Sequence, residues 1–171
     1  MPGETTLARE VFERYGADVR RYFRRMTGSV DEADDLAQEV FLRVVRAAPA
    51  YQPSERERAW LFRIARNVFL DDRRRSARRL VADADVEASA PPAQAVGAGV
   101  REAIATLPSD EREAFLLSEI GGLTYAEIAA AACTSTAAVR SRIYRARLAL
   151  RARLEPPAPV MPGTFPRHDD E

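Results

Sequence analysis

Bulky apolar residues recur at three- and four-residue intervals through nearly every stretch of this chain with enough of them to be ordered, and no stretch alternates apolar with polar as a strand would. A chain patterned this way is confined to helices that bury one stripe each, so the expected class is all-α. The helical pattern fails in two places. Residues 81–99, VADADVEASAPPAQAVGAG, are small and acidic with a Pro-Pro pair and two glycines, too poor in bulk to build a core; they read as a flexible linker. After Leu154 comes EPPAPVMPGTFPRHDDE, whose five prolines oppose regular helix, so residues 156–171 are expected to form a disordered tail. The 171 residues, 46% hydrophobic, therefore divide into two small helical domains, 5–80 and 100–155.

Breaks within each domain set the expected helices. Gly28 and the segment Pro49 through Pro53 separate helices at about 5–27, 31–47 and 56–79. Pro108 and Gly121-Gly122 separate helices at about 100–107, 109–120, 124–132 and 135–154, and Thr124 with Glu127 forms a T-x-x-E capping box.

Formal charge is zero, 26 basic residues against 26 acidic ones, but the two signs are segregated. Val40 to Leu80 holds eleven arginines against four acids, and Thr136 to Leu154 six against none, with acids gathered at 31–39 and 83–119. A single cysteine, Cys133, excludes an internal disulfide. With only His168 beside it, a metal site of soft ligands is not expected, nor any cofactor. No apolar run approaches the roughly 20 residues of a membrane span and the N-terminus lacks the apolar core of a signal peptide, so a cytoplasmic protein without membrane insertion is expected.

The last helix carries the sharpest pattern. Projected at 100° per residue, Val139, Ile143, Ala146, Leu150 and Leu154 share a stripe about 80° wide, and every arginine falls outside it. Arg140, Ser141, Tyr144 and Arg145 occupy the early exposed arc, and Arg147, Arg151 and Arg153 continue the charge. A short helix, TYAEIAAAA, a turn through Cys133 and Thr134, and Ser135 as N-cap precede it, which makes a helix-turn-helix with the basic helix second. Such a helix presents side chains to base edges and phosphates, so its missing acids are expected on DNA. Leu148 is apolar on the exposed side without an assigned role.

The first domain repeats the design. Helix 56–79 sets Trp60, Leu61, Ile64, Ala65 and Val68 on one face and Arg63, Arg66, Asn67, Arg73 and Arg74 on the other. Upstream, DEADDLAQEVFLRVVRA buries Leu36, Val40, Phe41 and Val44 and leaves Asp35, Gln38, Glu39, Leu42, Arg43 and Arg46 on an exposed arc, where a leucine among charges marks a protein-docking surface.

DEADDLAQEVFLRVVRA followed by AWLFRIARNVFLDDRRR resembles the second conserved region of bacterial sigma factors, and LTYAEIA followed by AAVRSRIYRARLAL is similar to their fourth region. With these two regions alone the chain resembles the extracytoplasmic-function (ECF) group. The resemblance implies docking of Asp35, Gln38, Glu39, Leu42, Arg43 and Arg46 on the clamp helices of the largest RNA polymerase subunit, with the flap of the second largest as a further partner. It implies capture of a flipped minus-ten base by Tyr51 and Asn67, with Trp60, Arg63, Arg66, Arg73 and Arg74 around them, since an extruded base wants a stacking ring and an amide. It implies major-groove contact with the minus-thirty-five element through Arg140, Ser141, Tyr144 and Arg145, phosphate contact through Arg142 and Arg147, and an anti-sigma protein as partner. Two departures stand out: Cys133 replaces the glycine usual in the turn, and Ala138 a frequent threonine. A one-component regulator working through the helix-turn-helix alone is the rival reading. The acid pairs Asp34-Asp35 and Asp71-Asp72 lack the histidine or glycine-rich loop an enzyme would add, and read as solvated helix faces.

Overall fold

The computed structural model describes residues 2–51, 56–82 and 98–154, all of them helical or in short turns. The expected linker lies outside the described residues over 83–97, as does the tail. Among the described residues seven α-helices follow in order: α1 (Pro2–Thr27), α2 (Val30–Ala47), α3 (Glu57–Ala82), α4 (Ala98–Ala105), α5 (Ser109–Glu119), α6 (Tyr125–Ala131) and α7 (Thr136–Leu154). None is long and apolar enough to cross a membrane.

Each boundary has a local cause. Gly28 takes φ +78°, its N–H donates to Arg24 O at 3.1 Å, and α1 ends there as helices closed by a left-handed glycine do. Ser29 then caps α2 by accepting the Glu32 N–H, with Asp31 and Glu32 favourably placed in the first turn. Thr124 and Glu127 complete the capping box on α6, and Ser135 Oγ accepts from the Ala138 N–H at 3.1 Å to start α7.

Cys133 adopts φ +50° between α6 and α7, the left-handed turn that the sequence forces on a non-glycine residue. Relief of that strain makes Cys133→Gly an expected stabilising change of about 1 kcal/mol, readable as a rise in the thermal midpoint with α-helix content unchanged. A lower midpoint would mean that the cysteine side chain contributes more than the strain costs.

α1, α2 and α3 pack around Val11, Val19, Tyr22, Phe23, Leu36, Val40, Val44, Leu61, Ala65 and Val68; α4 to α7 pack around Ile104, Leu107, Leu116, Leu117, Leu123, Ile128, Val139, Ile143 and Leu150. Two expectations about burial are corrected. Leu154 is 45% exposed at the end of α7 instead of completing the stripe, and Phe41 is only partly covered. The buried residues of both halves also form one continuous cluster, so the two helical halves are closed on one another. Phe62, outside the expected α3 stripe, is fully buried where they meet. Its ring stands edge-on to Tyr22 at 5.6 Å and lies against Gly121, where an added Cβ would sit 3.2 Å from Phe62 and only 2.5 Å from Leu117 O.

Candidate nucleic-acid and polymerase interfaces

On α7 the buried stripe of Val139, Ile143, Ala146 and Leu150 turns Arg140, Ser141, Tyr144, Arg145 and Arg147 outward, with Tyr144 67% exposed. The expectation that no acid of this chain meets these arginines is overturned. α5 lies alongside and sets Asp110 against Arg142 (2.9 Å), Glu111 against Arg145 (2.6 Å) and Glu119 against Arg147 (2.7 Å). Hydrogen bonding to Glu119 is the largest cause of the raised pKa of Arg147. Each pair has one member more than half exposed and is of modest strength, able to exchange an internal carboxylate for a phosphate. Arg140 forms no ion pair among the described residues.

On α3 the sequence-predicted residues separate. Tyr51, at the end of the 3-10 turn Ala48–Ala50, meets Trp60 with ring centroids 4.4 Å apart and planes inclined 40°. The pair opens on a cavity of about 510 Å³ that Arg56 and Arg63 also line, and whose other wall is Leu123, Ala126, Glu127 and Ala130 of the second half. Asn67 is exposed one turn beyond Arg63 and does not line that cavity. Arg73 pairs with Glu32 at 2.9 Å and lies over the Phe69 ring; Arg74 pairs with Asp71.

Arg66 is not on a solvated face. Its side chain is 13% exposed; Nη2 donates to Glu113 Oε2 at 3.2 Å, Nη1 donates to Ala131 O at 2.7 Å, and Nε lies in ion-pair contact with Glu113 Oε1 at 3.1 Å. Arg58, which the sequence reading passed over, donates through Nε to Gly121 O at 2.9 Å and through Nη2 to Ile120 O and to Asp18. Two guanidiniums of α3 thus satisfy the orphan carbonyls at the C-terminal ends of α5 and α6, the position where a cation is also favoured by the helix dipole. Arg56 reaches Glu127 at 3.4 Å, and Arg112 donates to Met26 O at 3.5 Å. The Glu127 carboxyl is held below its ordinary pKa first by the Thr124 backbone N–H, then by the Thr124 hydroxyl and by Arg56 and Arg63, against its partial burial. Burial and the nearby Glu113 carboxylate raise the Tyr22 hydroxyl, which stays neutral.

The α2 arc matches expectation more closely. Asp35, Gln38 and Arg46 are exposed, Arg43 is bonded to Glu39 and Asp71 at 2.9 Å each, and Leu42 is 51% exposed. Leu42 and Val45 border a shallow cavity of about 310 Å³ with Phe12, Phe41, Ala37 and Gln38. Phe12 of α1 is the member that the sequence reading missed; it packs edge-to-face on Phe41 at 4.7 Å.

Comparison with known proteins identifies the family. Residues 11–79 match Sigma-70 region 2 and residues 98–150 match Sigma-70 region 4. The ECF sigma factor EcfG of Rhodopseudomonas palustris is 36% identical over 143 residues, 80% of this chain and 78% of that protein. The chain belongs to the ECF group of sigma-70 RNA polymerase sigma factors. A second ECF relative, SigC of Mycobacterium tuberculosis, is 39% identical over 81% of this chain and 78% of its own length. SigE of Mycolicibacterium smegmatis is also 39% identical, but this chain spans 61% of it. The sigma factor RpoE of Bartonella quintana, solved in complex with the anti-sigma factor NepR, superposes over 85% of this chain and 94% of that one at a TM-score of 0.72 with 26% identity. CnrH, solved with the cytosolic domain of CnrY, covers 85% of each chain at 0.60 with 29% identity.

Proposed function

We infer that this ECF chain binds core RNA polymerase through the Leu42 groove, reads the minus-thirty-five element with α7, and captures a minus-ten base at Tyr51 and Trp60. It does so without catalysis of its own, in the cytoplasm, and with an anti-sigma protein as partner. The observation that carries the reading is the Tyr51–Trp60 pair in an arginine-lined cavity, large enough for a base and walled on its far side by α6. A regulator acting without polymerase gives that pair no role. In the closed arrangement α6 occupies the space that single-stranded DNA would enter, so the isolated chain reads promoters poorly until polymerase separates its halves.

Tyr51→Ala and Trp60→Ala should each lower open-complex formation by a stacking loss of about 1–3 kcal/mol. Permanganate reactivity of minus-ten thymines should fall while protection of the minus-thirty-five element persists. Undiminished reactivity in both variants would remove the minus-ten assignment.

A further inference from the structure

The three carboxylates that α5 sets against α7 do not hold their arginines by the same edge. Asp110 accepts from Nη2 of Arg142 at 2.9 Å and Glu119 from Nη2 of Arg147 at 2.7 Å, so each occupies the end of the guanidinium fork that would reach a phosphate. Those two pairs must break before the arginine meets DNA. Glu111 accepts instead from Nε of Arg145 at 2.6 Å, and the Nη1–Nη2 edge of that guanidinium makes no hydrogen bond among the described residues.

Exposure sets the same pair apart. Arg145 is 56% exposed and Glu111 only 13%, the reverse of the Arg142 pair, where the arginine is 24% exposed and Asp110 66%. Glu111 lies in the first turn of α5, where the helix dipole favours its charge, and the buried Ile143 and Ala146 on either side of Arg145 hold α7 against α5. Two N–H groups at the end of a guanidinium fork are what O6 and N7 of guanine accept in the major groove. A long side chain loses rotamer freedom on meeting a base, and a charge-assisted bond on Nε removes part of that freedom before DNA arrives.

We propose that Glu111 is a positioning residue for promoter recognition: it keeps its bond to Nε of Arg145 on DNA and aims the Nη1–Nη2 fork at the major-groove edge of one guanine. The proposal rests on the reading of α7 as the minus-thirty-five helix. Asp110 and Glu119, which compete with phosphates for their arginines, set affinity without choosing a base.

Holoenzyme reconstituted with the full chain, bound to promoter fragments randomised over the minus-thirty-five element and sequenced after enrichment, tests it. Arg145→Ala should erase a guanine preference of about tenfold at one base pair. Glu111→Ala should reduce that same preference about fivefold and leave every other position within about twofold of wild type. Glu111→Gln keeps an acceptor for Nε without the charge and should hold the preference within about twofold of wild type, whereas an acid that merely repels DNA would make the two variants alike. Asp110→Asn and Glu119→Gln should raise the affinity for an enriched and a scrambled fragment by the same factor, with base preferences unchanged. The double variant of Glu111→Ala and Arg145→Ala should match Arg145→Ala alone. Thermal melts establish that each variant is folded. The proposal fails if Glu111→Ala keeps the preference that Arg145→Ala loses, if it lowers all positions alike, or if Glu111→Gln matches it. It also fails if Asp110→Asn erases the same preference, or if Arg145→Ala flattens no position while wild type still enriches a minus-thirty-five sequence. Wild-type holoenzyme enriching no such sequence would overturn the reading of α7 itself, and the proposal with it.

Discussion

Glu113→Lys should raise the affinity of the isolated chain for a single-stranded minus-ten oligonucleotide by at least about tenfold, because it penalises the closed arrangement alone. Glu113 holds Arg66 at 3.1 Å with both side chains 13% exposed, beside the fully buried Tyr22. Removing one partner of a buried pair costs about 3–5 kcal/mol, and a lysine there adds repulsion. Separation of the halves hydrates both groups, so the open chain bears almost none of that cost. Apparent affinity scales with the open fraction, and the gain is limited by how strongly the wild-type chain is closed. Glu119→Lys makes the same charge change on the same helix but breaks only the Arg147 pair within the second half, so it should leave closure intact. Fluorescence anisotropy with the oligonucleotide and small-angle scattering of the free chain read the two consequences, tighter binding and a larger radius of gyration. If Glu113→Lys matches Glu119→Lys in both, closure does not limit access to the Tyr51–Trp60 cavity.

The contrast between what the sequence revealed and what it hid follows from range. Helix ends depend on residues three or four positions apart, so Gly28, Pro108, Ser135 and the Thr124–Glu127 box were legible, as was the strained turn at Cys133. The α7 stripe and the exposure of Leu42 came from period alone. Closure of the halves did not, because its contacts join residues more than 40 positions apart. Arg58 and Arg66 look like solvated arginines until the α5 and α6 carbonyls are brought to them across separations of 62 and 65 residues. Phe62 likewise shows no stripe partner in its own helix, since it packs on Tyr22 and Gly121. The acids of α5 were visible as an acidic stretch, but their register against α7 is set by helix packing, which no spacing in either helix encodes. Asn67 and Arg66, neighbours on the expected DNA face, end in different environments for the same reason.

The proposed docking of polymerase on the Leu42 groove is expected to give the largest effect of a single side chain. Leu42 sits among ion pairs yet is half exposed, and with Val45, Phe41 and Phe12 it frames an apolar groove that no other element of the described structure fills. Burying one leucine against a partner is worth about 1.5–3 kcal/mol. Leu42→Asp removes that gain and places a carboxylate in the interface, where an unpaired buried charge adds a desolvation cost of similar or greater size. Core affinity should therefore fall by about a hundredfold or more, corresponding to about 3 kcal/mol. The same change on the free chain meets water, so the thermal midpoint should move little, and the Arg43 pairs with Glu39 and Asp71 keep the arc in register. Val45→Asp, on the neighbouring rim of the groove, should act in the same direction, whereas Arg46→Ala at the solvated end of α2 should have a smaller effect. Equilibrium competition against wild type for core polymerase measures all three, and an undiminished Leu42→Asp complex would move the docking surface off this face of α2.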